Sequence, residues 1–121
     1  MRLRILIADD NAAVRRGTSL LLSSEQDWEV CGEASDGDEV IERVRALEPD
    51  LLLVDMRMPK RNGLDIIHKV HEEFPRIKII VMSQYDATVI TPVVSAAGGS
   101  ACIDKARLPF DLVDAVKRAT S

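Results

Sequence analysis

The sequence predicts one α/β domain, a three-layer (βα)5 doubly wound sandwich in which five strands form a parallel sheet with right-handed crossovers. Three observations carry this expectation. Short apolar runs alternate five times with segments whose apolar residues recur at helical spacing. The central run, Leu51-Leu52-Leu53-Val54, is apolar at every position, which suits a strand buried on both faces of a parallel sheet. The length, 121 residues, supplies one real core and leaves no interval for a second domain.

Arg4-Ile5-Leu6-Ile7-Ala8 reads as the first strand and runs directly into Asp9 and Asp10. A helix is expected from about Asn11 to Ser23. Val14, Gly17, Thr18 and Leu21, with Ala13 and Leu20 beside them, fall on one side of it, and Arg15, Arg16 and Ser19 on the other. Its amino end sits over the acids, where the positive helix pole helps hold an anionic site together. Trp28 to Ala34 alternates partly between apolar and polar residues, as an edge strand does. Ser35-Asp36-Gly37 breaks that strand, and Asp36 with Glu39 forms a capping-box pattern for a second helix. Its stripe is Val40, Ile41, Val44 and Leu47, and it stops at Pro49.

The central strand closes on Asp55 and is followed by the loop Met56 to Asn62, with Gly63 next. Leu64, Ile67, Val70 and Phe74 mark a third helix ended by Pro75. Lys78 to Met82 is a buried strand delivering Ser83, whose hydroxyl on its own reads as a turn former. Gln84 to Ala97 is expected to be loop and then a weaker helix, regular only from Thr91-Pro92, an N-cap followed by proline at the first helical position. Gly98-Gly99 ends it. Ser100 to Ile103 is a short fifth strand leading to Asp104-Lys105, and Leu112, Val113, Ala115, Val116 and Ala119 define a last helix after Pro109.

A net charge of −4, with Arg and Lys scattered over every element, argues against a nucleic-acid surface in this segment. The apolar run after Met1-Arg2 is too short for a signal peptide or a membrane span. Cys31 and Cys102 have no metal-ligand spacing and read as reduced thiols in a cytoplasmic chain. His68 and His71, three apart on a helix, read as a solvated face, since no ligand completes a tetrahedral set.

In open α/β sheets, ligands bind beyond the carboxyl ends of the strands. If the first and third strands are neighbours, Asp9, Asp10 and Asp55 meet at one edge. Like charges so close raise one another's pKa unless a cation intervenes, and Mg²⁺ suits hard oxygen ligands with one side left for phosphate.

With Asp9-Asp10, Asp55, Ser83 and Lys105 following different strands, and Asp55-x-x-Met58-Pro59-x-x-x-Gly63 around the central acid, the chain resembles the receiver domain of two-component response regulators. The resemblance covers essentially the whole chain. It is closest to the CheY-like receivers of the LuxR/NarL-type subfamily, which precede a helix-turn-helix output domain. It implies the flavodoxin-like strand order 2-1-3-4-5. It also implies a phosphoacceptor switch rather than a turnover enzyme: Asp55 takes a phosphoryl group from a phosphohistidine on a sensor histidine kinase. Mg²⁺ would be held by Asp10, Asp55 and the backbone carbonyl of Arg57, with Asp9 acting largely through water. The phosphoryl oxygens would be met by Mg²⁺, the Lys105 ammonium and the Ser83 hydroxyl, and before phosphorylation Lys105 would pair with Asp55. Positioning and charge neutralisation are most of what such a transfer requires.

By the same resemblance the segment is the receiver of a longer cytoplasmic transcription regulator, with an output domain, carboxy-terminal or separate, and a second copy as partners, and with neither nucleic acid nor membrane bound by these residues. Three departures bear on the switch: Cys102 stands where the family carries an aromatic, Ala106 follows Lys105 where many members have proline, and Pro92 is expected to shorten the fourth helix. Bulky Arg57 and Tyr85 flank the site at positions that, in the family, modulate acyl-phosphate hydrolysis. Competing readings are a Mg²⁺-dependent phosphatase of the haloacid dehalogenase class and a receiver-like scaffold with altered switching. A flavodoxin is disfavoured because no Ser/Thr/Gly-rich phosphate loop follows the first strand.

Overall fold

The structure, a computed structural model, describes residues 2–121. Strands and helices alternate throughout: β1 Leu3–Ala8, α1 Ala12–Leu22, β2 Trp28–Ala34, α2 Gly37–Leu47, β3 Leu51–Asp55, α3 Gly63–Glu73, β4 Lys78–Ser83, α4 Ala87–Ala97, β5 Ala101–Asp104 and α5 Leu108–Thr120. The five strands form one sheet in the order β2-β1-β3-β4-β5, every pair parallel. That is the order and architecture expected.

The period-2 alternation of strand side chains divides the core into two layers. Leu6, Ala8, Leu52, Val54, Ile79 and Val81 face α2, α3 and Val94 of α4. Ile5, Ile7, Leu51, Leu53, Ile80 and Met82 face Leu22 of α1 and Leu108, Leu112 and Val116 of α5. The whole of β3 is buried, as its uniform apolar run requires. β2 lies at an edge, with a register shift opposite Ile5 and Leu6 that the sequence pattern does not announce.

Several local expectations are corrected. On α1 the deeply buried residues are Thr18 and Leu22, whereas Leu20 is 67% exposed. Leu20 and Leu22 are separated by roughly 200° around the helix, so they cannot share a face. Arg15, placed on the outer side by its charge, is half-buried. The helix after β4 begins at Ala87, not Thr91. Asp86 caps it, accepting from the Thr88 amide and hydroxyl at 2.9 and 2.7 Å, and Pro92 lies inside. At 11 residues, α4 is as long as α1, α2 and α3, so proline does not shorten it. Pro92 is solvent-exposed, which leaves water to satisfy the carbonyl that loses its amide donor.

A 3₁₀ turn over Lys105–Arg107 starts the last helix at Leu108, one residue before Pro109 rather than after it. No described peptide bond is cis, so the Lys105-Ala106 bond is trans. The capping box of α2 is offset: Asp36 accepts from the Glu39 amide, but Glu39 answers to Ser35 instead of Asp36. Gly98 closes α4 at φ 110°, a conformation that favours glycine, and a Cβ there would meet His71 at 2.5 Å. His68 is exposed and pairs with Glu72 at 3.6 Å, in keeping with a solvated histidine face. Cys31 and Cys102 are both free thiols.

Candidate functional site

Parallel pairing brings the carboxyl ends of β1, β3, β4 and β5 to one edge, in the registers Ala8 with Val54, Asp55 with Met82, and Ser83 with Asp104. The residues that end or follow these strands therefore converge. Asp9, fully buried, and Asp55, 6% exposed, lie beside exposed Asp10. Carboxylate oxygens of the three lie within 4.8 Å of one another.

Asp9 is fixed from several directions. Its amide donates to the Ala34 carbonyl at 3.1 Å, which extends the β1–β2 ladder by one rung. Its Oδ1 accepts from the Asn11 amide at 2.9 Å. Asn11 in turn caps α1, accepting from the amides of Ala13 and Val14, so the acid pair and the positive end of the helix are built as one unit. The Lys105 ammonium is 2.8 Å from Asp9 Oδ2 and 3.0 Å from Asp55 Oδ2. The expected Lys105–Asp55 pair is present, and Lys105 binds Asp9 as well.

Burial pushes the Asp55 carboxyl above its ordinary value, against the pull of Lys105, and the neighbouring Asp9 charge adds to the rise. Burial acts to lower the Lys105 ammonium, but the hydrogen bonds and charges of Asp9 and Asp55 together hold it above its ordinary value. Asp9 Oδ2 is enclosed and has no well-directed hydrogen bond among the described residues, its contact with the Lys105 ammonium being an ion pair. A buried carboxylate oxygen with spare acceptor capacity, next to two further carboxylates, fits a hard divalent cation.

The loop after β3 carries Met56 to Asn62 over this edge. Arg57 donates its amide to Asp55 Oδ1 at 3.3 Å. The loop closes where the Gly63 amide reaches the Met56 carbonyl at 2.9 Å, and a Cβ on Gly63 would lie 2.8 Å from that same oxygen. Only glycine allows the return, which explains Gly63 in the sequence motif. Asn62 then caps α3, accepting from the Asp65 amide.

Across β4, Ser83 is 1% exposed, and its Oγ accepts from the Tyr85 amide at 2.9 Å. Its hydroxyl thus makes the turn expected of a serine after a strand while lying at the shared edge. Tyr85 is half exposed, and its hydroxyl accepts from the Arg57 guanidinium at 2.7 Å, so the two flanking residues touch. Cys102 pairs with Val81 in the sheet, packs partly against the α2–α3–α4 core layer, and lines a cleft of about 620 Å³ with Asp86, Ala87, Asp104 and Arg107. Burial pushes its thiol up, away from thiolate.

The charge-based reading of α1 missed Arg15. It donates to the Asp9 carbonyl at 2.7 Å and to Glu33 Oε1 at 2.8 Å. Its only sequence signal is position, one helical turn after the cap that sits on the acids.

Residues 5–117 match the response regulator receiver domain family. The nitrate/nitrite response regulator protein NarL of Escherichia coli (strain K12) is 36% identical over 119 residues, covering 97% of this chain and 54% of that protein. The oxygen regulatory protein NreC of Staphylococcus haemolyticus is 41% identical over 85 residues, covering 69% of this chain and 39% of that protein. Among solved structures, the isolated REC domain of RcsB from Salmonella enterica serovar Typhimurium, in the presence of phosphomimetic BeF3−, superposes with a TM-score of 0.89 at 26% identity, covering 97% of this chain and 87% of that one. The chain spans about half the length of most of the curated relatives it matches. The 2-1-3-4-5 sheet, the match over residues 5–117 and the relatedness to NarL lead to one assignment: the chain belongs to the response regulator receiver domain family, with LuxR/NarL-type relatives.

Proposed function

We propose that Asp55 accepts a phosphoryl group from the phosphohistidine of a sensor histidine kinase, and that this segment switches an output domain elsewhere in a longer transcription regulator. The observation that carries the reading is Lys105 lying against both buried carboxylates, Asp9 and Asp55, beside exposed Asp10. An Asp55 oxygen attacks phosphorus, the P–N bond breaks, and the imidazole leaves with that electron pair. The Lys105 ammonium, 3.0 Å from Asp55 Oδ2, is in place to neutralise one phosphoryl oxygen once it gives up that contact. The Ser83 hydroxyl meets a second by turning from its Tyr85 partner. Asp10, Asp55 and the Arg57 carbonyl would hold Mg²⁺, with Asp9 reached through water. When bound, Mg²⁺ supplies charge neutralisation at the remaining oxygen.

Cys102 cannot fill the space of an aromatic ring, so the readout on the β5 side differs from an aromatic rotamer change. Partners in this reading are the kinase, the output domain and a second copy, in the cytoplasm; no described helix is long and apolar enough to cross a membrane. Turnover of small phosphate esters and a phosphate-refusing scaffold are the readings to be separated. Intact-mass measurement after incubation with acetyl phosphate and Mg²⁺ separates them. One phosphoryl group on the wild type and none on Asp55→Asn is the expected result. Continuous phosphate release from an ester without an accumulating adduct would favour the phosphatase, and neither adduct nor phosphate release under any condition the scaffold.

A further inference from the structure

Asp10 is exposed, so its carboxylate is placed chiefly by the backbone that carries it, beginning with the Asp9–Asp10 peptide plane. Arg15 takes hold of that plane through the Asp9 carbonyl, at 2.7 Å. The guanidinium is itself anchored at 2.8 Å to Glu33, near the end of edge strand β2, and its side chain is only 18% exposed. The planar fork of arginine can serve a carbonyl and a carboxylate at once, which a lysine cannot do with the same geometry. We propose that the Arg15–Glu33 pair is a positioning clamp for the acid pair: it sets the Asp9–Asp10 plane, and through it the affinity of the site for a divalent cation. The inference rests on the reading of the three acids as the cation site.

Electrostatics alone makes the opposite prediction, and that makes the clamp testable. The Arg15 guanidinium is a cation hydrogen-bonded to the Asp9 backbone beside the acids, so deleting it should favour Mg²⁺ if charge is all that matters. If geometry matters more, deletion weakens binding, and groups that orient metal ligands typically cost about 10- to 100-fold in affinity when removed.

The test is calorimetric titration of the chain with MgCl₂, alongside melting of the metal-free proteins. Arg15→Ala is expected to raise the Mg²⁺ dissociation constant about tenfold. Glu33→Ala should raise it by less, Glu33→Gln, which keeps the acceptor, should restore wild-type affinity, and the Arg15→Ala/Glu33→Ala pair should be no worse than Arg15→Ala. A purely structural role would lower the melting temperature and leave the dissociation constant unchanged, and that result overturns the clamp. Tighter binding by Arg15→Ala overturns it too. Should Arg15→Ala not fold, the exposed Glu33 position decides: equal weakening in Glu33→Ala and Glu33→Gln would mean charge alone, whereas rescue by Gln sustains the clamp. A wild type that binds no Mg²⁺ overturns the cation site itself, and the clamp with it.

Discussion

On the β1 side of Asp55, Asp9 takes hydrogen bonds from Asn11 and Arg15 and an ion pair from Lys105, and Asn11 also caps α1. On the β4 side the chain from Gln84 to Ile103 contains one charged residue, Asp86, and α4 has a proline in its interior and leaves Val89 and Val93 at 69% and 50% exposed. One flank is tied to the acids by directional bonds; on the other the side-chain bonds around the start of α4, Tyr85 to Ser83 and Thr88 to Asp86, are local, and α4 meets the sheet through the packing of Val94 and its neighbours. A cation site needs the first kind of construction, because ligand geometry must be kept. A segment that rearranges needs the second, because few bonds must break for it to move.

The largest expected effect is on the fixed flank. Lys105→Ala leaves Asp9 and Asp55 buried without their counterion, and should cost about 3 kcal/mol of stability in metal-free denaturant unfolding. Added Mg²⁺ should return part of the loss, since a cation then has both carboxylates free. A loss below about 1 kcal/mol would mean that the flank is not held together as described.

Next in size is the loose flank. Pro92→Ala adds an amide donor inside α4 at an exposed position, and should stabilise the chain by up to about 2 kcal/mol. No gain would show that Pro92 does not limit the stability of α4.

A pH dependence sharpens the contrast at Asp55 itself. Its carboxyl is raised above the ordinary value by burial, so the folded chain binds the proton more tightly than the unfolded chain does. Ionisation therefore costs stability, and the cost develops as pH rises from the ordinary carboxylate value through the raised one. Asp55→Asn should accordingly melt higher than wild type at neutral pH without metal, and the difference should shrink as pH falls through that window. A difference that grows on acidification would contradict the direction of the shift. Smaller still, Arg57→Ala and Tyr85→Ala should each change stability by less than about 0.5 kcal/mol, both residues being exposed. Each should shorten the acyl-phosphate lifetime a few-fold by opening the site to water. Unchanged dephosphorylation rates would remove their role as a shield.

The fold was readable because its signals are local. Uniform apolar runs such as Leu51 to Val54 mark buried strands wherever they occur, and an acid or hydroxyl immediately after such a run needs no further information to be placed at the sheet edge. Asp9 and Asp55 stand at that edge by position alone, whereas Ser83 on its own reads as a turn former, and its expected role, like that of Lys105, comes from the family resemblance. The start of α4 differs from the expectation because Thr91-Pro92 is a conspicuous helix-start pattern, whereas the actual cap is Asp86. What decided for Asp86 was its bonding to both groups of Thr88 and the solvent exposure of Pro92. Arg15 was out of reach for a different reason. Hydropathy sends an arginine outward, whereas its contacts with the Asp9 carbonyl and Glu33 depend on a loop and an edge strand brought together only by folding. The second partner of Lys105 was hidden likewise, since sequence cannot rank two neighbouring carboxylates by distance.

The central claim is that one particular carboxylate forms the covalent adduct. Borohydride reduction after exposure to acetyl phosphate and Mg²⁺, followed by peptide mass mapping, converts an acyl phosphate on aspartate to homoserine and so reports its position. Homoserine at position 55 alone is the predicted result; homoserine at 9 or 10, or at no position despite bound Mg²⁺, would contradict it.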